Sequence, residues 1–201
     1  MRVNIKHGYA SIAILCLLLT TSAHALICLP SARWAVKTLK DPEARNINFE
    51  PKKTTVRRLV RIKTGIYPYP IESKRHGHEF STYVVVCRIK SYSIAEEDDD
   101  LNLVISDPVH PKDTLIAEVP NPDCPNVKDS PYAKEFRRVW DEFRKSGTRD
   151  GKINQDGKRH GARKGLFRLT GVAFVDIPHF QEGRAKNDIE LHPVLMIEML
   201  K

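Results

Sequence analysis

The sequence predicts a mainly β domain with one helix. The expected fold is an OB-like five-stranded Greek-key barrel of order β-β-β-α-β-β, preceded by an irregular N-terminal segment. Three observations predict it. Three strand-like apolar runs succeed one another between 82 and 119, separated by short turns. One amphipathic stretch with helical spacing follows them. Two more strand-like runs then close the chain after a glycine-rich connection.

Residues 1–25 have the layout of a secretory leader: Arg2 and Lys6, an apolar run over 12–19, and the small-x-small site Ala23-His24-Ala25. That run is shorter than the roughly 20 residues a membrane span needs. Cys16 and Cys28 follow Leu15 and Ile27, where a lipoprotein signal needs a small residue. No second hydrophobic segment follows. The expected location is therefore periplasmic or secreted, with cleavage near Ala25 and no transmembrane segment. Loss of Arg2 and Lys6 takes the formal charge from +8 to +6. A balance of that size permits a polyanion or an acidic surface as partner and selects neither. Three cysteines remain after cleavage. Cys87 shares its strand face with Tyr83, Val85 and Ile89, whereas Cys28 and Cys124 stand beside prolines in irregular stretches. In an oxidising compartment this predicts a Cys28–Cys124 disulfide and a buried free Cys87.

Residues 26–80 are proline-rich and irregular. Within "KKTTVRRLVRIKTG" the run 54–62 suits a short helix or an edge strand, and Arg57, Arg58 and Arg61 crowd together there. From 81 onward the barrel domain begins. "TYVVVCRIKSYSI" (82–94), "LNLVIS" (101–106) and "TLIAEV" (114–119) read as an antiparallel meander. The acidic run 96–100 between the first two is expected to be a solvated tip that holds a divalent ion weakly at most. Ser130 is placed as a helix N-cap with Pro131 at the first helical position. Tyr132, Phe136, Val139, Trp140 and Phe143 then form an apolar stripe that ends at Gly147. The connection 148–165 is basic and glycine-rich, and holds Lys158, Arg159, Arg163 and Lys164. Its "DGKINQDGKRHG" tempts a calcium reading, but Lys152 and Arg163 stand where an EF-hand loop needs carboxylates. "LFRLTGVAFVDI" (166–177) and the run from Ile189 onward are the fourth and fifth strands.

The last strand carries the most pointed pattern. Ile189, Leu191, Leu195 and Ile197 alternate onto one face, and Glu190, His192 and Glu198 onto the other. Pro193 cannot donate to a ladder, so the strand is at an edge or bulged there. Asp176 and His179 close the preceding strand, and pairing of the two strands would bring Asp176, His179, Glu190 and His192 to one barrel rim. Two histidines and two carboxylates suit zinc or manganese, with His179 and His192 as the nitrogen ligands. They equally suit a structural hydrogen-bond cluster in which His192 pins the 178–188 connection to the barrel.

"DLNLVISDP", "TLIAEVPNPDC", "TGVAFVDIPHFQEG" and "NDIELHPVLMI", with "WAVKTLKDPEARNINFEPKKTTV" near the front, resemble a family of secreted bacterial proteins of unknown function. The family pattern reads T-G-V-x-F-x-D-x-x-H-x-Q-x-G followed by I-E-L-H-P-V. Asp176, His179, Gln181, Gly183, Glu190, His192 and Pro193 match it. Asn102 stands where the family has histidine, Phe180 where it has glycine and Glu182 where it has threonine. The resemblance implies a shared fold and compartment and assigns no reaction.

Staphylococcal-type nucleases use a related barrel with a carboxylate-plus-arginine site. Asp100 and Asp107 flank a strand here, but the third strand offers no fitting arginine. No nucleophile elbow, phosphate-cradling glycine loop or metalloprotease helix is present either. The leading expectation is a non-enzymatic binding module without a cofactor. Its contact residues would be Arg57, Arg58, Arg61, Lys158, Arg159, Arg163 and Lys164, facing a polyanion. The alternative is a metal-dependent hydrolase of phosphodiester type at the rim cluster.

Overall fold

The computed structural model describes residues 26–64, 74–95, 97–177 and 180–201. In chain order it forms α1 (Trp34–Lys37), β1 (Asn48–Thr54), α2 (Val56–Leu59), β2 (Ser81–Ile94), β3 (Leu101–Ser106), β4 (Thr114–Val119), α3 (Ala133–Glu142), β5 (His160–Gly161), β6 (Leu166–Val175) and β7 (Ile189–Leu200). Strands β2, β3, β4, β7 and β6 hydrogen-bond in that order, and β6 returns to β2, which closes a five-stranded barrel. Only β4 and β7 run parallel within it. This is the OB-like Greek-key barrel that the sequence predicts.

The long β2 makes closure possible by changing partners along its length. Its first half, Thr82–Cys87, pairs with β6 while β1 lies parallel on its other side. Its second half pairs with β3 and with the short β5. A register shift between Ile89 and Ser91 marks the bend.

Alternation supplies the core. Val85, Cys87 and Ile89 of β2, Leu101, Leu103 and Ile105 of β3, and Leu115, Ala117 and Val119 of β4 point into the barrel. Phe136, Val139, Trp140 and Phe143 of α3 pack into the same cluster. The indole N–H of Trp140 donates to the Pro120 carbonyl at 3.1 Å, so the ring is buried with its polar end satisfied. The helix continues through a π-helical turn, Phe143–Gly147, as its predicted end requires. It begins later than expected, at Ala133. The reason is that Ser130 serves a preceding turn: its hydroxyl donates to the Thr38 carbonyl and accepts the Tyr132 N–H.

β7 lies inside the sheet, between β4 and β6, so Pro193 sits in a bulge and not at an edge. The register slips opposite Gly171, where a β-carbon would approach Leu191 Cβ to 3.0 Å. The bulge also changes the expected alternation. Val194 is fully buried in the barrel core, while Leu195 is only partly buried and packs against both apolar clusters.

The N-terminal segment is more ordered than its prolines predict, because the edge of β2 offers β1 a ladder. Both readings of 54–62 contain part of the result: the strand ends at Thr54, then Thr55 caps α2 by accepting the Arg58 N–H. Upstream, α1 and the turn after it cover the outer face of the barrel, where Leu39, Ala44 and Ile47 pack on Val172 of β6. A buried ion pair, Arg75 to Asp41 at 2.7 Å, holds that turn. The Cys28–Cys124 disulfide fixes its beginning, and Cys87 is a buried free thiol. Among the described residues no helix is long and apolar enough to cross a membrane. The leader-like run 1–25 lies outside the described residues.

Candidate functional site

The outer face of β3, β4 and β7 carries polar residues at the Asn102–Glu118 end, beyond the apolar pair Val104 and Ile116. Asn102 of β3 is the cross-strand partner of Glu118 of β4. The parallel register of β4 and β7 pairs Ile116 with Glu190 and Ala117 with Leu191, which brings Glu118 beside His192. Asp100, two residues before Asn102, shares its face. Thus Asp100, Asn102, Glu118, Glu190 and His192 gather on neighbouring strands. Asp100 and His192 are 0 % exposed, Glu190 1 % and Asn102 3 %.

α1 closes this face. Arg33 donates to both oxygens of Glu79, at 2.6 and 2.7 Å, and to the Val175 carbonyl, which ties the start of α1 to the end of β6. Lys37 at the other end of α1 is thereby buried over the cluster. Its ammonium stands 5.3 Å from the centre of the Phe174 ring, which in turn packs 5.6 Å from the His192 ring.

The polar atoms are close but poorly joined. His192 Nδ1 lies 2.9 Å from Glu118 Oε2, and His192 Nε2 lies 3.6 Å from Asp100 Oδ2. Both are contacts of the buried imidazole with carboxylates, the one to Glu118 at ion-pair distance, whereas Asn102 Oδ1 and both Glu190 oxygens have no hydrogen-bond partner. The satisfied bonds are those of Asn102 Nδ2, which donates to Glu118 Oε1, and of Asp100 Oδ1, which accepts the Asn121 N–H at 2.9 Å. Buried polar atoms are normally bonded, because each unpaired one costs about 1–3 kcal/mol. The unpartnered oxygens of Asn102 and Glu190 therefore stand out in this cluster.

The electrostatics of the cluster follow from its burial. Burial pushes the Asp100 carboxyl up to about 7, and burial followed by the nearby Glu118 charge raises Asp98. Glu190 rises well above the carboxylate range, through burial first and then repulsion from Glu118 and Asp176. Burial opposes ionisation of Glu118 as well, yet the His192 ring and the Lys37 ammonium outweigh it and bring Glu118 down to about 2. Glu118 thus holds the negative charge and Glu190 the proton. Burial disfavours the His192 imidazolium, but Asp100 and Glu118 outweigh it and its affinity for a proton rises. The same competition, with Glu118, Asp176, Glu190 and Asp98 as the attracting charges, raises Lys37. Four buried carboxyls therefore face one ammonium and one imidazole. Asp100, Glu118 and His192 each offer a donor atom, and the three lie within 4.8 Å of one another.

The predicted rim cluster is redrawn by this geometry. Glu190 and His192 are in the site, but on a covered sheet face and not at an open rim. Asp176, whose N–H donates to the Asp188 carbonyl, lies near enough to act on the charges of Glu190 and Lys37. His179 lies outside the described residues. His192 meets β3 and β4 carboxylates, so among the described residues the tie to the 178–188 connection is replaced by a tie within the barrel. The acidic run is not a solvated tip at its end, since Asp98, Asp99 and Asp100 are buried. Asn102 sits in the middle of the cluster, where its Nδ2 donates to Glu118 Oε1. Sequence reasoning passed over Glu118 and Lys37. A lone carboxylate inside the apolar strand "TLIAEV" was the available signal for Glu118; Lys37 left none.

The basic candidates divide. Arg57 and Arg61 both pair with Asp113, at 3.2 and 2.9 Å, while Arg58 is exposed. In the 148–165 connection Arg159 donates to Ser91 Oγ, and Lys158, Arg163 and Lys164 are exposed. Asp156, part of the rejected calcium pattern, pairs with His160 at 2.7 Å.

In comparisons with known proteins, no family model matches the chain, and no curated protein or solved structure is significantly similar to it. The class that fold and site define is an OB-like barrel with a buried carboxylate–imidazole cluster on its outer face.

Proposed function

We propose that this chain is an extracytoplasmic binding protein whose ligand is a metal cation, taken up by Asp100, Glu118 and His192. One observation carries the reading: the donor atoms of Asp100, Glu118 and His192 lie buried within 4.8 Å of one another, beside Asn102 and Glu190 oxygens that have no hydrogen-bond partner. A divalent ion would engage those atoms and take the place of the proton that burial otherwise favours on Asp100. The compartment follows from the leader-like residues 1–25 and from a disulfide, which persists in the periplasm or outside the cell. The resemblance to secreted proteins of unknown function agrees with it.

Untagged protein purified from its natural compartment should carry about one ion per chain by elemental analysis. After chelation, return of the ion should raise the melting temperature, as any ligand of the native state does. A chain that carries no metal and binds none on titration with zinc, manganese, calcium or magnesium would remove the reading.

Glu190 supports a second, catalytic reading as a metal-dependent hydrolase. Both its oxygens lack partners, and burial and the neighbouring carboxylates raise its affinity for a proton beside the proposed ion, as suits a general acid or base. A screen of the metal-loaded protein on phosphodiester substrates, with Glu190→Gln as the control, decides it. The exposed cations Arg58, Lys158, Arg163 and Lys164 leave contact with a polyanion as a separate surface property.

A further inference from the structure

The donor set also points to the kind of ion, a question that rests on the cation reading above. We infer that the cluster selects a borderline transition ion of the zinc class over calcium and magnesium, with three protein donors and one position left to an outside ligand. Three features carry this.

The first is the imidazole. Calcium and magnesium take oxygen donors almost exclusively, calcium six to eight of them at about 2.3–2.6 Å. Zinc, cobalt and nickel favour a mixed nitrogen and oxygen set. His192 is wholly buried, and each of its ring nitrogens faces a carboxylate, Nδ1 toward Glu118 and Nε2 toward Asp100.

The second is size. The 3.6 Å between His192 Nε2 and Asp100 Oδ2 is too long for a hydrogen bond. It is near the edge of about 3.3 Å that a tetrahedron with bonds of about 2.0–2.1 Å has. All three donors lie within 4.8 Å of one another, a cage for a small ion.

The third is charge and coordination number. Ionised Asp100 and Glu118 with neutral His192 match the charge of a divalent ion. Three protein donors leave a tetrahedral ion one further position, as catalytic zinc sites do and structural ones do not. Asn102 Oδ1 and the Glu190 oxygens, all without partners, are the acceptors available to a water completing the sphere.

Cobalt reports on this directly. Chelated wild-type protein titrated with Co(II) should develop the intense visible bands of tetrahedral cobalt. Zinc should abolish them at one equivalent, and millimolar calcium or magnesium should leave them unchanged. His192→Gln, checked for fold by circular dichroism, should lower cobalt affinity by about 100-fold or more. The inference is overturned if cobalt binds with the weak spectrum of six-fold coordination, if calcium displaces it at comparable concentration, or if His192→Gln keeps its affinity. In each of those cases the cation reading itself survives. Absence of binding by every ion tested would overturn both.

Discussion

His192 Nε2 and Asp100 Oδ2 stand 3.6 Å apart with both side chains wholly buried, too far and too misaligned for a hydrogen bond. Asp100 stands at the entry to β3 and His192 on β7, with β4 between the two strands. The backbone thus maintains a polar arrangement that the side chains alone do not satisfy. On the cation reading proposed above, an ion between them would take up both groups.

Asp100 should make stability of the metal-free protein fall with pH. Its carboxyl titrates near 7 in the folded chain and near 3.8 when unfolded. Between those values the folded chain keeps a proton that the unfolded chain has lost. Stability is therefore greatest below about pH 4 as far as this group is concerned, and declines toward pH 7. Asp100→Asn mimics the protonated form and removes that decline. Denaturant titrations in chelator at pH 4, 6 and 8 should show the variant gaining on the parent as pH rises. Parallel curves for the two proteins would contradict the assignment.

Lys37 should act in opposite directions on stability and on affinity. Its ammonium offsets part of the carboxyl charge at all working pH values, since attraction outweighs burial. Lys37→Met should destabilise the metal-free protein by about 1–3 kcal/mol, through the charge left unpaired. The same loss removes a positive charge from beside the proposed ion, so cation affinity should increase, about tenfold for each 1.4 kcal/mol of repulsion relieved. Thermal denaturation in chelator and calorimetric titration separate the two effects. A variant that loses both stability and affinity would mean that Lys37 only shapes the site.

The barrel was legible because its strands alternate and its turns carry prolines and acidic residues at regular intervals. Runs such as "LNLVIS" and "TLIAEV" coincide with β3 and β4, and the helix stripe from Phe136 to Phe143 plugs the core as its spacing requires. The site was half legible. Glu190 and His192 stand out as polar residues on one face of an apolar strand. Asp100 and Glu118 did not join them, because that requires the cross-strand register, which is set by barrel closure and not by local pattern. Lys37 was hidden for a different reason. The segment that carries it is tied down by Arg33–Glu79, Arg75–Asp41 and the disulfide, long-range contacts that leave no periodic trace in sequence.

The Cys28–Cys124 disulfide should be a major stabiliser and Cys87 should be inert. The bridge spans 96 residues, a loop whose closure is worth about 4–5 kcal/mol in the chain-entropy model and 2–5 kcal/mol in typical measurements. It also anchors the strand entry, where Asp99 Oδ2 accepts the N–H groups of Ile27 and Cys28 at 2.6 and 2.8 Å. Cys28→Ser/Cys124→Ser should lower the melting temperature by several degrees or more. Cys87 is buried in the barrel core, which pushes its thiol far above the reactive range. A thiol reagent should therefore find no reactive group in the native protein and one in denaturant without reductant. Rapid native labelling of Cys87 would show that the barrel opens readily.

Asp113 should govern how strongly the basic surface meets a polyanion. Its carboxylate receives Arg57 at 3.2 Å and Arg61 at 2.9 Å, and their charge holds it below the usual carboxylate range. These pairs are half-exposed and contribute little to stability, so their replacement should leave the melting temperature almost unchanged. Their effect on the local field is larger: Asp113→Asn removes a negative charge and frees two guanidiniums beside the exposed Arg58. If charge neutralisation drives polyanion contact, the variant should elute from heparin at higher salt than the parent. Arg58→Glu should move elution the other way. Equal elution of all three proteins would mean that this arginine cluster is a solvated face, and that any polyanion contact belongs to Lys158, Arg163 and Lys164 instead.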